Sequence, residues 1–455
     1  MGAISLTGQT AIPQPADRTA AAQIVARLRE AGHEAFFVGG CVRDILMGVE
    51  PDDFDIVTSA HPEAVQALFP KTVPIGLAFG IILVVDDGHA YEVATYRREG
   101  GYEDGRRPAA VTFSNAEEDV GRRDFTINGL LMDPESGDVR DYVHGVRDIE
   151  NRLIRTIGKP DERFAEDHLR MLRAVRLAAN LNFDIDPETL AAIRRHAASI
   201  QRISAERIRD EINRLLTRRR ARRGMELLLQ SDLLEIILPE ATALKGVLQP
   251  PQFHPEGDVW EHVLRMLDLL TGDYGPEGDL RLAWAVLLHD VGKPATRFAD
   301  ERGVHFYGHV QKSEHMAEVI LTRLKFSQAE TTSILALIRH HMRFMTVKDM
   351  RPNRLKRFLR MADFPLHLEL HRLDCLGSHG LLDHYEFCRD QLAVLTPEEL
   401  QPPRLLSGDD LRQMGFTPGP VFKEIFAFLE TEQLERRVET PEEARQVVLA
   451  HWRPR

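Results

Sequence analysis

Cysteine is nearly absent: Cys41, Cys375 and Cys388 are the only three in 455 residues, and no two form a CxxC pair. That scarcity excludes a disulfide frame and a zinc knuckle and points to buried thiols in a reducing compartment. No apolar run reaches the ~18 residues of a membrane span. The first twenty residues also lack the basic and apolar blocks of a signal peptide. A cytoplasmic protein without a membrane partner is expected. Positive charge is not in excess either: a net charge of −12 excludes indiscriminate nucleic-acid binding, which needs a local density of Lys and Arg, so no DNA partner is expected. There is no internal repeat and no long low-complexity segment.

What is present is an ordinary composition, 43% hydrophobic and 28% charged, in a chain long enough for several domains. Residues 1–20 look loose, and a helix is expected from Ala20 to Ala31. Strand-like segments follow at Thr72–Pro74, Gly80–Val85 and His89–Arg97, and from Arg152 the periodicity turns helical almost to the end. Pro250, Pro251, Pro255 and Gly257 mark one boundary, and Pro397, Pro402 and Pro403 another. The expected divisions are an N-terminal segment (1–30), an α/β head (31–150), a helical neck (151–245), a fourth region (246–395) and a helical tail (396–455). In the tail, LSGDDLRQMGFTPGPVFKEIF reads as two short helices joined by a Pro/Gly turn. Residues 151–223 hold 18 Lys/Arg against 10 Asp/Glu, ending in Arg218, Arg219, Arg220, Arg222 and Arg223. Taken alone, this basic helical surface is either a solvated helix face or, beside a head that works on nucleotides, a track for RNA phosphates.

The most informative stretch is FFVGGCVRDILMGVEPDDFDIVT, residues 36–58. Phe36, Phe37 and Val38 read as a short buried strand, Gly39 and Gly40 as a turn admitting an anion to the backbone, and Val42 to Met47 as a helix closed by Gly48. This order makes a phosphate cradle. A second strand is expected to present Asp53 and Asp55 on one face, because strand side chains alternate with period two. Two adjacent carboxylates repel each other without a cation, and their hard oxygens suit Mg²⁺ that also bridges substrate phosphates. Nucleotidyl transfer assisted by two metal ions is the natural chemistry of such a pair.

Taken in order, GGxVRDxLxG followed by PxDxD resembles the first motif of the class II tRNA nucleotidyltransferases, the family of CCA-adding enzymes and bacterial poly(A) polymerases. The resemblance implies a polymerase β-like mixed sheet in the head, then a mainly helical neck, an HD domain and C-terminal helices. It implies catalysis by Asp53 and Asp55 as Mg²⁺ ligands, with Gly39, Gly40 and Arg43 at the nucleotide. RRDFTIN, residues 122–128, resembles the second motif. There Arg123 meets the triphosphate as a cationic fork, and Asp124 accepts from a ribose hydroxyl. EDHLRMLRAVRLA, from Glu166, resembles the motif that selects the nucleotide. Asp167 and Arg170, spaced i, i+3, are expected to share a helix face and offer acceptors and donors to a base edge. Leu169, Leu172 and Val175 make the apolar stripe that fixes the helix, and Arg173 either braces the pair or reaches the nucleotide. Glu92, in YEVATYR, either completes the carboxylate set or faces solvent. Residues 97–113 resemble the flexible loop associated in the family with adding A. Bacterial poly(A) polymerases carry a GRRFxLxHV-like stretch where this chain has Ile75-Gly-Leu-Ala-Phe-Gly-Ile-Ile-Leu, which favours tRNA end synthesis over tailing of messages.

Beyond the neck, His262 in VWEHVL, His289-Asp290 in LLHDVGKP and Asp374 in HRLDCL resemble the H…HD…D signature of HD phosphohydrolases. Mixed nitrogen and oxygen ligands on helices suit a borderline or hard divalent ion, whose identity the residues leave open. His309, His340 and His341 stand where some HD domains add ligands for a second metal, and which of the adjacent pair binds is open. The expected function is template-independent addition of CCA, or of its terminal A, to tRNA 3′ ends from CTP and ATP, with an HD phosphohydrolase activity. The competing readings are a poly(A)-type tailing enzyme and a hydrolase whose head senses nucleotides.

Overall fold

The structure is a computed structural model that describes residues 18–86, 88–102, 108–218, 220–270, 278–301 and 303–453. Most of the N-terminal segment, the centre of the 97–113 stretch and Arg219 of the arginine run lie outside the described residues. The chain divides into two compact units, Met1–Leu215 with Arg223–Ile237, and Leu216–Arg222 with Leu238–Arg455.

The first unit is built on a mixed sheet. Its strands are β1 (Ala35–Val38), β2 (Asp55–Thr58), β3 (Thr72–Gly76), β4 (Ile81–Asp86) and β5 (His89–Thr95). A separate hairpin follows, β6 (Arg97–Tyr102) and β7 (Pro108–Phe113), before β8 (Leu130–Met132) and β9 (Val139–Asp141). The seven-stranded order is β3-β4-β5-β2-β1-β8-β9. β2 and β5 run parallel, with Ile56 opposite Val93, while β1 pairs antiparallel with β2 and β8. Alternation of side chains along the strands decides what each face holds. Phe37, Ile56, Ile82 and Val93 pack with Ala21, Ile24, Val25 and Leu28 of the helix Arg18–Glu30. Phe36, Val38, Val57, Ala94 and Tyr96 pack with Ala116, Val120 and Ile157 on the other face.

Two local expectations change. Asp53 lies in the turn segment before β2, which begins at Asp55, so the two carboxylates do not share a strand. Pro51 opens that turn, and the ladder with β1 reaches only from Asp55 to Thr58. The stretch 97–113 is not a plain loop: its described ends form the β6–β7 hairpin, with Arg97 opposite Phe113.

Helices Arg170–Leu181, Pro187–His196 and Ala205–Leu216 follow the sheet, and Leu172, Val175 and Ala178 of the first are buried. Two short strand pairs, Leu153–Ile154 with Asp184–Ile185 and Phe298–Asp300 with Gly303–His305, interrupt the helical run. In the second unit, Leu280–Leu288 is buried from Leu282 to Leu288, and Val259–Leu269 packs on Phe364–Gly377. In the tail, Gly408–Gln413 is short, but Pro420–Leu434 runs for 15 residues and joins Pro441–His451 around Ile425, Leu429 and Val448. Cys41, Cys375 and Cys388 are free and buried.

Gly145 is where the sheet unit is tightest. A Cβ there meets the Thr126 carbonyl oxygen at 2.2 Å and its carbon at 2.9 Å. Gly145→Ala therefore has to push the Arg123–Asn128 segment aside. It is expected to cost about 1–3 kcal/mol of stability in a denaturant titration.

Candidate functional site

The carboxylates of the head meet at the end of β2. Asp55 opens the strand opposite Val38, beside β5, which carries Glu92. Gly39 lies against this point with φ +81°, a conformation few side chains adopt; a Cβ there sits 3.8 Å from Asp55 Oδ2 and 3.7 Å from Arg123 Nη1. Gly40 begins the helix Gly40–Leu46, on which Arg43 grips Asp44 through two hydrogen bonds of 2.9 Å and donates to Asn128 Oδ1 at 2.8 Å. Gly39, Arg43, Asp55 and Arg123 are thus gathered around one turn. Burial first, then the charges of Asp53 and Glu92, push the Asp55 carboxyl up to about 7. A divalent cation removes that penalty, so the oxygen set fits a metal, although its atoms are not drawn together as tightly as the histidine cluster described below.

Arg123 is aimed by a residue that the sequence reading missed. Asp119, fully buried, holds Arg122 Nη2 at 2.7 Å and Arg123 Nη2 at 3.1 Å, and these guanidinium groups keep its carboxyl low despite burial. Asp124 is buried too: Oδ1 accepts from the Phe125 amide at 2.8 Å, and Oδ2 pairs with Arg173 at 2.6 Å. Arg173 therefore braces Asp124.

Asp167 and Arg170 do not share a helix face. Asp167 ends the helix Pro160–Glu166 in an extended conformation, and Arg170 begins the next helix. The break is local chemistry: Asp167 Oδ1 accepts from the Leu169 amide at 3.0 Å, in the manner of a helix-starting carboxylate. Its Oδ2 meets Arg207 at 3.0 Å, from the helix Ala205–Leu216. Arg170 pairs with Glu166 at 2.5 Å and donates to the Arg122 carbonyl at 3.0 Å. Asp167 and Arg170 are thus held by separate partners.

The second unit gathers histidines. His262, His289 and Asp374 form one group whose ligand atoms lie within 4.8 Å, and Asp290, His309 and His341 form another. His289 Nε2 lies 3.2 Å from Asp290 Oδ2, which links the two groups. His341 is the member of the adjacent pair that faces the cluster; the His340 ring lies against His367 instead. His254 and Glu256 also reach His262, and neither was singled out in the sequence. His289, His309 and His341 each set Nδ1 against the carbonyl three residues back, at 2.9, 2.9 and 2.7 Å. A carbonyl only accepts, so Nδ1 carries the proton and Nε2 keeps a lone pair. Burial, its largest cause, holds His309 below the usual range and His341 at about 4, both neutral near pH 7. For His262, burial works against charge, yet Asp374 and Glu256 outweigh it and push the ring up to about 9. His289 Nε2, His309 Nε2 and Asp290 Oδ1 are buried without a hydrogen-bond partner. The neutral rings of His309 and His341 and the ionised carboxylates of Asp290 and Asp374 fit a divalent cation, which takes the place of a proton on His262.

A glycine turn, converging acidic oxygens and an arginine fork on a mixed sheet define the head as one of nucleotidyltransferase type. The comparisons agree: residues 35–155 match the family model described as "Poly A polymerase head domain". Residues 182–245 match "Probable RNA and SrmB- binding site of polymerase A", and 259–364 match "HD domain". The chain thus carries the head and RNA-binding regions described for the poly(A) polymerase family, followed by an HD domain. It is 44% identical to the CCA-adding enzyme of Limosilactobacillus fermentum over 220 residues, 48% of this chain and 55% of that protein. It is 45% identical to that of Anoxybacillus flavithermus over 229 residues, 50% and 57% of the two chains. The matched stretch thus spans little more than half the length of these relatives. Among solved structures, the Bacillus stearothermophilus CCA-adding enzyme in complex with CTP superposes with a TM-score of 0.71 at 28% identity. That likeness covers 96% of this chain and 98% of the other. The Thermotoga maritima CCA-adding enzyme complexed with tRNA_CCA shares the fold at 20% identity and a TM-score of 0.59, over 96% of each chain. Among the described residues no helix is long and apolar enough to cross a membrane.

The raised Asp55 carboxyl makes stability depend on pH with a definite sign. The folded chain keeps this proton where the unfolded chain has lost it, so stability falls as pH climbs from the ordinary value of 3.8 to about 7, then levels. Melting curves of metal-free protein should show that fall, and Asp55→Asn should flatten it. Identical pH profiles for the two proteins would contradict the buried charge.

Proposed function

We propose that this chain adds CCA to tRNA 3′ ends, taking CTP and ATP without a nucleic-acid template. The observation that carries the reading is the convergence of Gly39, Asp55 and Arg123 at one turn of the sheet. The names of the relatives and the CTP and tRNA complexes of its structural neighbours support it. Those neighbours favour CCA addition over message tailing or nucleotide sensing.

Asp53 and Asp55 would hold Mg²⁺, and the chemistry such an ion would supply is alignment of the 3′ hydroxyl with the α-phosphate and stabilisation of the charge that develops there. The hydroxyl oxygen forms the new bond to phosphorus, the α–β bridging bond breaks, and pyrophosphate leaves with that electron pair. Gly39, Gly40 and Arg43 cradle the phosphates, and Arg123 meets the triphosphate. Asp124 faces the ribose, steadied by Arg173. Asp167 and Arg170 read the base edge, kept in place by Arg207 and Glu166 until a nucleotide exchanges for those partners. The basic neck tracks the tRNA backbone. The functional borders follow the divisions 1–30, 31–150, 151–245, 246–395 and 396–455.

The second unit carries its own reading, because unused buried lone pairs converge there. His262, His289, Asp290 and Asp374 hold a divalent ion, with His309 and His341 beside them. A cation held there would supply an activated water and a polarised phosphoryl oxygen, the chemistry needed to hydrolyse an ester such as a 2′,3′-cyclic or 2′-phosphate. Removing such a block restores the free 3′ end that the head extends.

Asp53→Ala or Asp55→Ala should abolish incorporation of labelled CTP and ATP while circular dichroism stays that of the wild type. Near-normal incorporation by both variants with Mg²⁺ present would sink the assignment. Asp167→Ala or Arg170→Ala should loosen the choice among CTP, ATP, GTP and UTP more than it weakens triphosphate binding. Each lost base-edge bond is worth about 1–3 kcal/mol of discrimination. Variants that only slow, with unchanged nucleotide ratios, would remove these residues from selection.

A further inference from the structure

Four histidines surround the cluster of the second unit, and three are locked in the same way. His289, His309 and His341 each have Nδ1 at a backbone carbonyl three residues earlier, which leaves Nε2 for a cation. Neither ring nitrogen of His262 makes a hydrogen bond of good geometry, and each faces a carboxylate oxygen instead. At its Nδ1 stands Glu256, with Oε1 2.9 Å away, while its Nε2 lies 3.1 Å from Asp374 Oδ1. The Glu256 carboxylate and the His262 ring are both shielded from solvent. The same Oε1 meets His254 Nδ1 at 2.8 Å, so one oxygen sits between two imidazoles.

We propose that Glu256 is the positioning residue of this cluster: it holds the Nδ1 proton of His262, so that the Nε2 lone pair points with Asp374 and His289 at one divalent cation. The inference rests on the metal reading of the second unit and adds a residue to it. Without a cation, a proton on each His262 nitrogen answers the two carboxylates; a cation that displaces the Nε2 proton takes that lone pair together with Asp374, while Glu256 keeps the Nδ1 proton in place. Without the Glu256 acceptor, the His262 proton is free to settle on Nε2 against Asp374, which blocks the ligand position.

The chain has built the placement of Glu256 with some care. Phe253 and His254 amides both donate to the Pro250 carbonyl at 3.0 Å, and the Gly257 amide donates to the His254 carbonyl at 3.3 Å. Gly257, at φ +116°, turns the chain into Asp258, whose side chain caps the helix bearing His262 by accepting from the Glu261 amide at 2.8 Å. The run of prolines and glycine that punctuates the sequence here also delivers Glu256 to the inner side of the turn.

The test is Co²⁺ binding by titration calorimetry to the full chain, with Asp53→Asn and Asp55→Asn present throughout to silence the head. This reference protein should bind Co²⁺, and His289→Ala should abolish that binding. Glu256→Ala and the bulkier Glu256→Met should each weaken it by about 10–100-fold, the usual effect of losing such an outer partner. Glu256→Gln, which keeps an acceptor oxygen, should recover part of that loss. Metal-free melting curves accompany each variant, and Glu256→Met decides where Glu256→Ala fails to fold. Reference affinity in either Glu256→Ala or Glu256→Met, with or without a lower melting point, overturns the positioning role alone. A reference protein that binds no Co²⁺ overturns the metal reading and this inference together.

Discussion

A carboxylate at the head of a buried strand cannot keep its charge cheaply, and the catalytic end of the first unit is organised around that fact. Asp55 is raised by burial and by its acidic neighbours Asp53 and Glu92. The sheet places it there because Phe36, Val38 and Val57 make the apolar layer on one face and Phe37 and Ile56 the layer on the other. The strand end is what remains for polar groups, and the φ of Gly39 brings backbone close to it. A site that is costly when empty becomes favourable when a divalent cation and a triphosphate share it.

The groups around this point are held by ion pairs, two of them to residues outside the motifs, Asp119 and Arg207. Asp119 steers two guanidinium groups, Arg173 holds Asp124, and Arg207 holds Asp167. Asp119 and Asp124 are buried, so each would be left as an uncompensated charge if its arginine partner were lost, and these contacts keep the side chains in one orientation. The second unit repeats the principle with different atoms, using backbone carbonyls to fix which imidazole nitrogen is free.

Much of this was legible along the chain, because the informative residues are close together in sequence. Gly39, Gly40 and Asp55 follow one another within one strand–turn–helix–strand passage; strand segments and the helical run were legible in periodicity, whereas the mixed sheet and the histidine set were what the family resemblances implied. What escaped were partners separated by long intervals, such as Arg207, 40 residues from Asp167. A lone arginine in a basic stretch carries no mark of the carboxylate it meets. The Asp167–Arg170 spacing suggested one helix, since i, i+3 is a helical interval, but an aspartate before a helix start caps it as readily. His340 and His341 differ by a rotation of about 100° on a helix, and only the packing of the helix end chooses between them. Pro250, Pro251, Pro255 and Gly257 announced a turn without showing that Glu256 faces inward.

The central claim is that protein side chains alone specify a CCA end. Purified protein with Mg²⁺, CTP and ATP should be given tRNAs that end before CCA, after the first C and after CC, with the added nucleotides resolved on a sequencing gel. The account predicts C on the first two ends and A on the third, stopping there. Absence of incorporation on all three, or a run of A on each, would contradict it.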